Sequence, residues 1–497
     1  MAQAIESSLA PVSAANRSRA ALPIPLKLLY GLGSVAFGIK DNGFSYLLLL
    51  FYNQVVGLSA PLVGLAIMLA MVCDACLDPI VGQVSDTWRS RLGRRHPFMY
   101  AAALPVALSY LALWNPPQGW STGGLFAYLV VIAIIIRTFL TFYEVPSSAL
   151  AAELTQGYDE RTALMSYRYF FAWVGGLFLY LITFTFFLVP DATHKTGQTN
   201  PLGFARYGAV AASLMFVTIL ISALGTQRRA LAFVPPPRER KSLWATLKEM
   251  AETWSNRSFL FLTLSGLMTS MAVGVSSSMN IYFNTFYWEF TSHQFSLLIA
   301  GVFASAFIAL FAVAPLARRF GKRPLAVSLV IAAVSTGLAP ILARAAGLMP
   351  PNHTAILFDI IFVQSIITVA LNIAGATLIT SMIADVVEDG ELKTGRRSEG
   401  LYFSASSLVA KAVSGVGIFA ASLILALIHF PAGARAGNVP EPILRHMALV
   451  YAPCQIALYA VGLLLLMGYT ITRESHAETL ATLAARRETL KEPGAAA

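Results

Sequence analysis

Apolar runs of roughly twenty residues or more recur along the whole chain, and this spacing narrows the possible folds more than any other feature. Twelve can be counted, over about 28–55, 61–85, 97–115, 124–153, 162–189, 203–225, 258–286, 293–317, 324–346, 353–386, 400–429 and 446–472. About 20 residues of helix cross a hydrocarbon layer ~30 Å thick. Backbone polar groups in lipid must be satisfied within the segment, and the alternating pattern of a β-barrel is absent, so the runs are expected to be helices. Composition agrees: 57% of the 497 residues are hydrophobic and 12% are charged, against roughly 25% charged in soluble domains. The longer runs must tilt, bend or extend past the lipid.

The formal net charge is +10. Its placement assigns it to orientation and not to nucleic acid. Arg89, Arg91, Arg94 and Arg95 crowd 86–96, seven Lys and Arg residues lie in 226–257, Arg318, Arg319, Lys322 and Arg323 occupy 318–323, and Lys393, Arg396 and Arg397 lie in 387–399. The alternate loops 116–123 and 347–352 have no Lys or Arg, and 190–201 has Lys195 alone. By the positive-inside rule the basic loops and both tails are cytoplasmic. Residues 1–22 lack the apolar core of a cleavable signal. Cys73, Cys76 and Cys454 are too few for a disulfide framework. The C-x-x-C of the first two lies inside a span without a nearby His, and reads as small packing residues.

The chain divides near its middle at 226–257, where "FVPPPRERK" is followed by "SLWATLKEMAETWSNR". Leu243, Leu247, Met250 and Trp254 share a helical face there, as in a helix lying on a membrane surface, although a plain linker fits equally well. The halves echo each other. "RLGRRHP" (91–97) follows the second span and "RFGKRP" (319–324) the eighth; "AAELTQGYDER" (151–161) follows the fourth and "IADVVEDGELK" (383–393) the tenth. The expected organisation is a tail over 1–22, a six-helix bundle over 23–225, the central loop 226–257, a second bundle over 258–472 and a tail over 473–497. Parallel six-helix repeats with a site at their interface are a transporter architecture. The repeated loop motif reads as a cytoplasmic gate of Asp86, Glu153 and Asp385 with Arg91, Arg94, Arg95, Arg319 and Lys322, whose pairs latch the two halves on one face and release on the other; the alternative is that the arginines only set topology.

Charges inside lipid are costly, roughly 2.5–3.5 kcal/mol each on insertion scales, and are functional hypotheses by default. The first span holds Lys40 and Asp41, the second Asp74 and Asp78, the fourth Arg137 and Glu144, the fifth Arg168 near its cytoplasmic end, and the eleventh Lys411. By depth, Asp41, Asp74, Arg137 and Lys411 lie near mid-membrane. Asp74 and Asp78 are one turn apart on one face, and two such acids cannot both ionise cheaply without a cation or a proton between them. Pro79 has no N–H, so it frees the Ala75 carbonyl beside them. The expected role of the pair is a coupling-ion site. A static network of ion pairs is the structural alternative. No Walker motif, nucleophile elbow or metal-ligand cluster is present, which argues against ATP hydrolysis and catalysis.

The segments "DACLDPIVGQVSDTWRSRLGRRHP", "YEVPSSALAAELTQGYDERTALMSYR" and "ADVVEDGELKTGRRSEGLYFS…VAKAVSG" resemble the glycoside–pentoside–hexuronide:cation symporters of the major facilitator superfamily. The resemblance runs from "YGLGSVAFGIKD" (30–41) to the end of the twelfth span. It implies an all-α membrane protein of twelve transmembrane helices in two pseudo-symmetric six-helix bundles. It also implies alternating access, no cofactor, and a sugar-type solute moved with Na⁺ or H⁺ by a monomer in a bacterial cytoplasmic (inner) membrane. By the same resemblance, Asp74, Asp78, Thr141 and Glu144 match the cation site. Asp41 and Arg168 match sugar contacts, Glu144 matches an acid serving both sites, and Lys411 matches a lysine tied to coupling.

Three positions depart from the family's best-known permease. Leu77 stands where that protein has an asparagine, Ser148 where it has a tryptophan that stacks on sugar, and Arg137 is an additional buried cation. Loss of the amide weakens a Na⁺ site at Asp74 and Asp78, which wants several oxygens, and leaves a proton site intact, so the reading favours H⁺. Arg137, Arg168 and Lys411 would suit an acidic sugar, because arginine grips carboxylates with a planar fork. The alternative solute is amphipathic, since a eukaryotic branch of the family moves lysophospholipids.

Overall fold

A computed structural model describes residues 22–155, 157–192, 194, 196–232, 256–394, 399–469, 478–479 and 481–483. The candidate surface helix at 243–254 lies outside them, as do most of both tails. The described chain contains helices and no strands. Ten helices are long and apolar enough to cross a membrane; the first span is broken into shorter helical pieces, and the eleventh has a described apolar stretch of Val413–Leu427.

We number the spans α1 to α12. α1 comprises Ile24–Leu32 and Val35–Asn42, continued by wider π turns at Gly43–Leu47 and Phe51–Val55. α2 is Ala60–Thr87, α3 His96–Leu113, α4 Thr122–Leu154, α5 Tyr158–Ile182 and α6 Pro201–Leu231. In the second half α7 is Arg257–Tyr282, α8 Ser292–Phe320, α9 Lys322–Ala345, α10 Ala355–Thr394, α11 Glu399–Leu427 and α12 Glu441–Leu466. Most begin and end within a few residues of the expected apolar run, but α6 continues to Leu231, α10 continues to Thr394, and α12 spans Glu441–Leu466, shifted towards the N-terminus at both ends. Pro442 in the first turn of α12 fits its early start, because the fixed φ of proline is pre-set for a helix start.

The repeat is visible in backbone detail. α1 ends in a π turn where Val56 N–H donates to Phe51 C=O (3.0 Å) and Leu58 N–H to Tyr52 C=O (2.9 Å). α7 ends in the same turn over Phe283–Tyr287, with Trp288 bonded to Phe283 (2.8 Å) and Phe290 to Asn284 (2.9 Å). The left-handed residue after each turn is Gly57 (φ 88°) in the first half and Glu289 (φ 55°) in the second. Most non-glycine residues avoid that region; Glu289 makes an ion pair there with His353, 2.9 Å away.

Close helix contact depends on small residues. A Cβ on Gly38 of α1 would lie 1.8 Å from the Ala172 carbonyl of α5, and one on Gly64 of α2 would lie 2.2 Å from Ser422 Oγ of α11. These contacts bring α1 onto α5 within the first half, and α2 onto α11 across the halves. We call the end carrying the arginine-rich loops the basic end and the other the far end. At the far end the halves are tied together. Gln54 Nε2 donates to Pro431 C=O (3.2 Å), Ala434 N–H to Gln54 Oε1 (2.8 Å), Tyr282 Oη to Asn53 Oδ1 (3.0 Å) and Gln198 Nε2 to Phe290 C=O (3.0 Å). Phe184 of the π turn that ends α5 stacks on Phe295 of α8, with centroids 4.6 Å apart. Towards the basic end the ring contact between α5 and α8 is Trp173 with Phe303. Beyond it Tyr169, Phe307 and Phe311 are largely exposed.

Candidate solute cavity and charge cluster

Between the halves lies a cavity of about 690 Å³, lined by α1, α5 and α7 to α12. Its polar lining includes Asp41, Asn42, Asn280, Asn284, Gln364 and Asn372, and Trp173, Trp288, Tyr451 and Tyr459 add aromatic faces. Asp41 is the one charged residue among its described lining. Ligand cavities of this size and mixed character suit small solutes. The amides of the second half were not singled out from sequence. The signal was present, because an amide inside an apolar span seeks a hydrogen-bonding partner.

The other ionisable groups form a chain beside the cavity. Arg137 Nη1 donates to Asp74 Oδ2 (2.9 Å), and Thr141 Oγ1 donates to Asp74 Oδ1 (2.6 Å) and reaches Asp78 Oδ1 at 3.3 Å. Lys411, arriving from the second half on α11, donates to Asp78 Oδ2 (2.8 Å) and lies 3.9 Å from Glu144 Oε2. α2 stays helical through Pro79, which leaves the Ala75 carbonyl without its helical donor. Thus the two acids, one turn apart as expected, are each neutralised by a side-chain cation.

The two pairs differ in exposure. The Asp74 and Arg137 side chains are 5% and 4% exposed, whereas Asp78, Lys411 and Glu144 are 21%, 23% and 22% exposed. The first pair is sealed and the second group meets open space. Lys40 is buried with its ammonium 4.3 Å from the Phe37 ring centroid, a cation–π position. Arg168 donates to Ser147 Oγ (2.6 Å) and to the Glu144 backbone carbonyl (3.1 Å). Ser148 Oγ turns back to the Val145 carbonyl (2.8 Å). Of the residues expected to touch solute, Asp41 lines the cavity, whereas Arg137, Glu144, Ser148, Arg168 and Lys411 stand outside its described lining.

The gate residues form ion pairs within each half. Arg94 reaches Glu153 (2.5 Å), and Arg95 reaches Asp86 (3.0 Å) and Glu153 (3.4 Å), all in the first half. Lys322 reaches Asp385 (2.6 Å) in the second. Arg91 is exposed, and Arg319 is exposed with its guanidinium 5.4 Å from the Phe320 ring. Arg94 and Arg95 tie the segment after α2 to Glu153 at the end of α4, Arg95 also reaches back to Asp86 at the end of α2, and Lys322 at the start of α9 reaches Asp385 on α10.

The chain is similar to known proteins over nearly its whole length. It is 28% identical to an uncharacterized symporter, sll1374, of Synechocystis sp., over 93% of this chain and 97% of that one. It is 25% identical to the isoprimeverose transporter of Lactiplantibacillus pentosus, over 81% of this chain and 80% of that one. Its fold matches the inward open conformation of the xylose transporter XylE from E. coli, with a TM-score of 0.58 and 16% identity over 92% of this chain and 98% of that one. The family described as MFS/sugar transport protein matches residues 29–473, and the chain, a multi-pass membrane protein of twelve helical spans around a central cavity, belongs to it.

Proposed function

We propose that the protein is a proton-coupled symporter of a glycoside-type solute, working by alternating access. One observation carries the reading: a cross-half group of Asp78, Lys411 and Glu144, partly open to solvent, stands beside a central cavity whose far end is tied shut. A proton on Asp78 would cancel its attraction for Lys411 and leave Glu144 as the nearest remaining acid. Because Lys411 belongs to the second half and both acids to the first, that exchange links proton binding to the relative position of the halves. Leu77, in place of an amide, removes an oxygen that a Na⁺ site would want.

The cavity lining favours a neutral glycoside over a hexuronide. Its amides and aromatic rings suit hydroxyls and sugar faces, and Arg137, Arg168 and Lys411 are already engaged with protein groups. The runner-up, an amphipathic solute, is favoured by a chamber of about 540 Å³ within the second half. It is lined mainly by residues such as Leu267, Leu329, Leu371 and Ile379, and shares Val273, Ala333, Asn372, Ile373 and Tyr459 with the main cavity. We place the basic end in the cytoplasm of a bacterial inner membrane, on the positive-inside rule. The test is uptake of labelled glycosides into right-side-out vesicles under an imposed pH gradient without Na⁺, with glucuronides and lysolipids as competing solutes. Uptake that ignores the pH gradient and follows a Na⁺ gradient would overturn the choice of ion. Selective competition by a lysolipid would overturn the choice of solute.

A further inference from the structure

A cation-coupled family implies an alkali-ion site, and Asp74 with Asp78 is where the sequence places it. The residues around Asp74 do not fit an exchangeable ion. Arg137 holds Oδ2 and Thr141 holds Oδ1, at 2.9 and 2.6 Å. The guanidinium also packs on the Phe44 ring, 4.7 Å from its centroid. Both members of the pair are buried, so a free cation arriving at Asp74 would meet a fixed like charge on the same carboxylate with little water to screen it.

The charge count of the neighbourhood agrees. Lys40, Arg137, Arg168 and Lys411 stand against Asp41, Asp74, Asp78 and Glu144, four positive and four negative. The set is balanced with no added ion. Without Arg137 it would carry one net negative charge, and Asp74, Asp78 and Thr141 would present oxygens already gathered by the bridging Thr141 hydroxyl.

We infer that Arg137 is a tethered cation that occupies the alkali-ion position at Asp74, and that it sets the ion specificity of this transporter by excluding Na⁺ and Li⁺. The inference rests on the reading of the protein as ion-coupled and deepens it. It makes Asp74 a permanent member of a salt bridge and leaves the exchangeable ion to the Asp78, Lys411 and Glu144 group.

The experiment is thermal unfolding of the purified full-length chain in detergent, at fixed pH and ionic strength, in NaCl, LiCl or choline chloride and without solute. The wild type is expected to melt at the same temperature in all three salts. Arg137→Ala should gain a saturable rise of about 1–3 °C in NaCl or LiCl over choline. Arg137→Lys, which keeps the charge, should stay indifferent, and adding Asp74→Asn to Arg137→Ala should abolish the gain. Should Arg137→Ala not fold, Arg137→Gln keeps most of the volume and loses the charge. A folded neutral variant that melts alike in all salts overturns the inference. So does a Na⁺-specific rise in the wild type that Asp74→Asn removes, a measurement that needs no Arg137 variant. Neither solute nor pH gradient enters, so failure of the glycoside or proton reading in vesicles is seen separately.

Discussion

The two halves trace the same path through the membrane and divide the chemistry unequally. Of the charges singled out within the spans, Lys40, Asp41, Asp74, Asp78, Arg137, Glu144 and Arg168 come from the first half, and Lys411 alone comes from the second. The second half instead lines the cavity with Asn280, Asn284, Gln364 and Asn372. The same scaffold therefore carries most of these ionisable groups on one side and most of the cavity's amides on the other. A repeated fold does not oblige both copies to carry the repeated function, because loop and packing motifs can persist where site residues have diverged.

The division is open to attack, first at its most buried point. Asp74→Asn leaves Arg137 as an uncompensated buried charge, and breaking such a pair from one side costs about 3–5 kcal/mol. The variant is expected to lose much of its thermal stability and yield, and Asp74→Asn with Arg137→Met should recover most of both in the same melting assay. If Asp74→Asn melts like the wild type, the sealed pair does not support the first half.

Next comes the single crossing charge. Lys411→Ala should abolish accumulation against a pH gradient, a loss of at least about tenfold in steady-state uptake, because the proton on Asp78 would no longer be sensed by the second half. Solute counterflow, which needs no net ion movement, should be reduced less. Equal losses in both assays would make Lys411 a structural brace.

Smaller effects should mark the other wall. Asn284→Ala or Gln364→Ala removes one hydrogen-bonding group from the cavity, worth about 0.5–1.5 kcal/mol. Each is expected to raise the apparent KM about two- to tenfold and to leave the pH-gradient dependence intact. A change in gradient dependence would show that the second half also handles the ion. The smallest contrast lies in the far-end turns. Gly57→Ala should cost about 1–2 kcal/mol through left-handed backbone strain alone, since a Cβ there meets nothing within 4 Å. Glu289→Gly trades relief of that strain against loss of the His353 pair, so it should shift the melting temperature little.

Helix number, span limits and the duplicated halves were legible from the sequence, because a spanning helix needs a long apolar run and loop charge marks its ends. The acid pair on α2 and the lysine on α11 stood out in the sequence because charges inside an apolar span are costly. Their partners were not. Sequence spacing puts Asp74 and Asp78 on one face, but only the packing of α4 and α11 against α2 shows that Arg137 and Lys411 already supply the positive charge between them. The motif residues do form ion pairs, but a linear sequence does not say whether a loop arginine turns towards its own bundle or the other one. Ser148 and Arg168 were carried to the solute by resemblance, and sequence alone did not show their hydrogen bonds to groups of α4.

The seam between α2 and α11 bears on how such a molecule can move. It is close-packed from Gly64 against Ser422, through Met71 against Gly415, to Asp78 and Lys411. α5 and α8, by contrast, are held together at the far end and expose Tyr169, Phe307 and Phe311 beyond Trp173 and Phe303. That is the mechanics of a book, with α2 and α11 as the spine and α5 and α8 as the fore-edge. Rotation about a spine moves material in proportion to its distance from the axis. In the alternating access proposed above, a lysine set in the spine would travel little while the fore-edge parts.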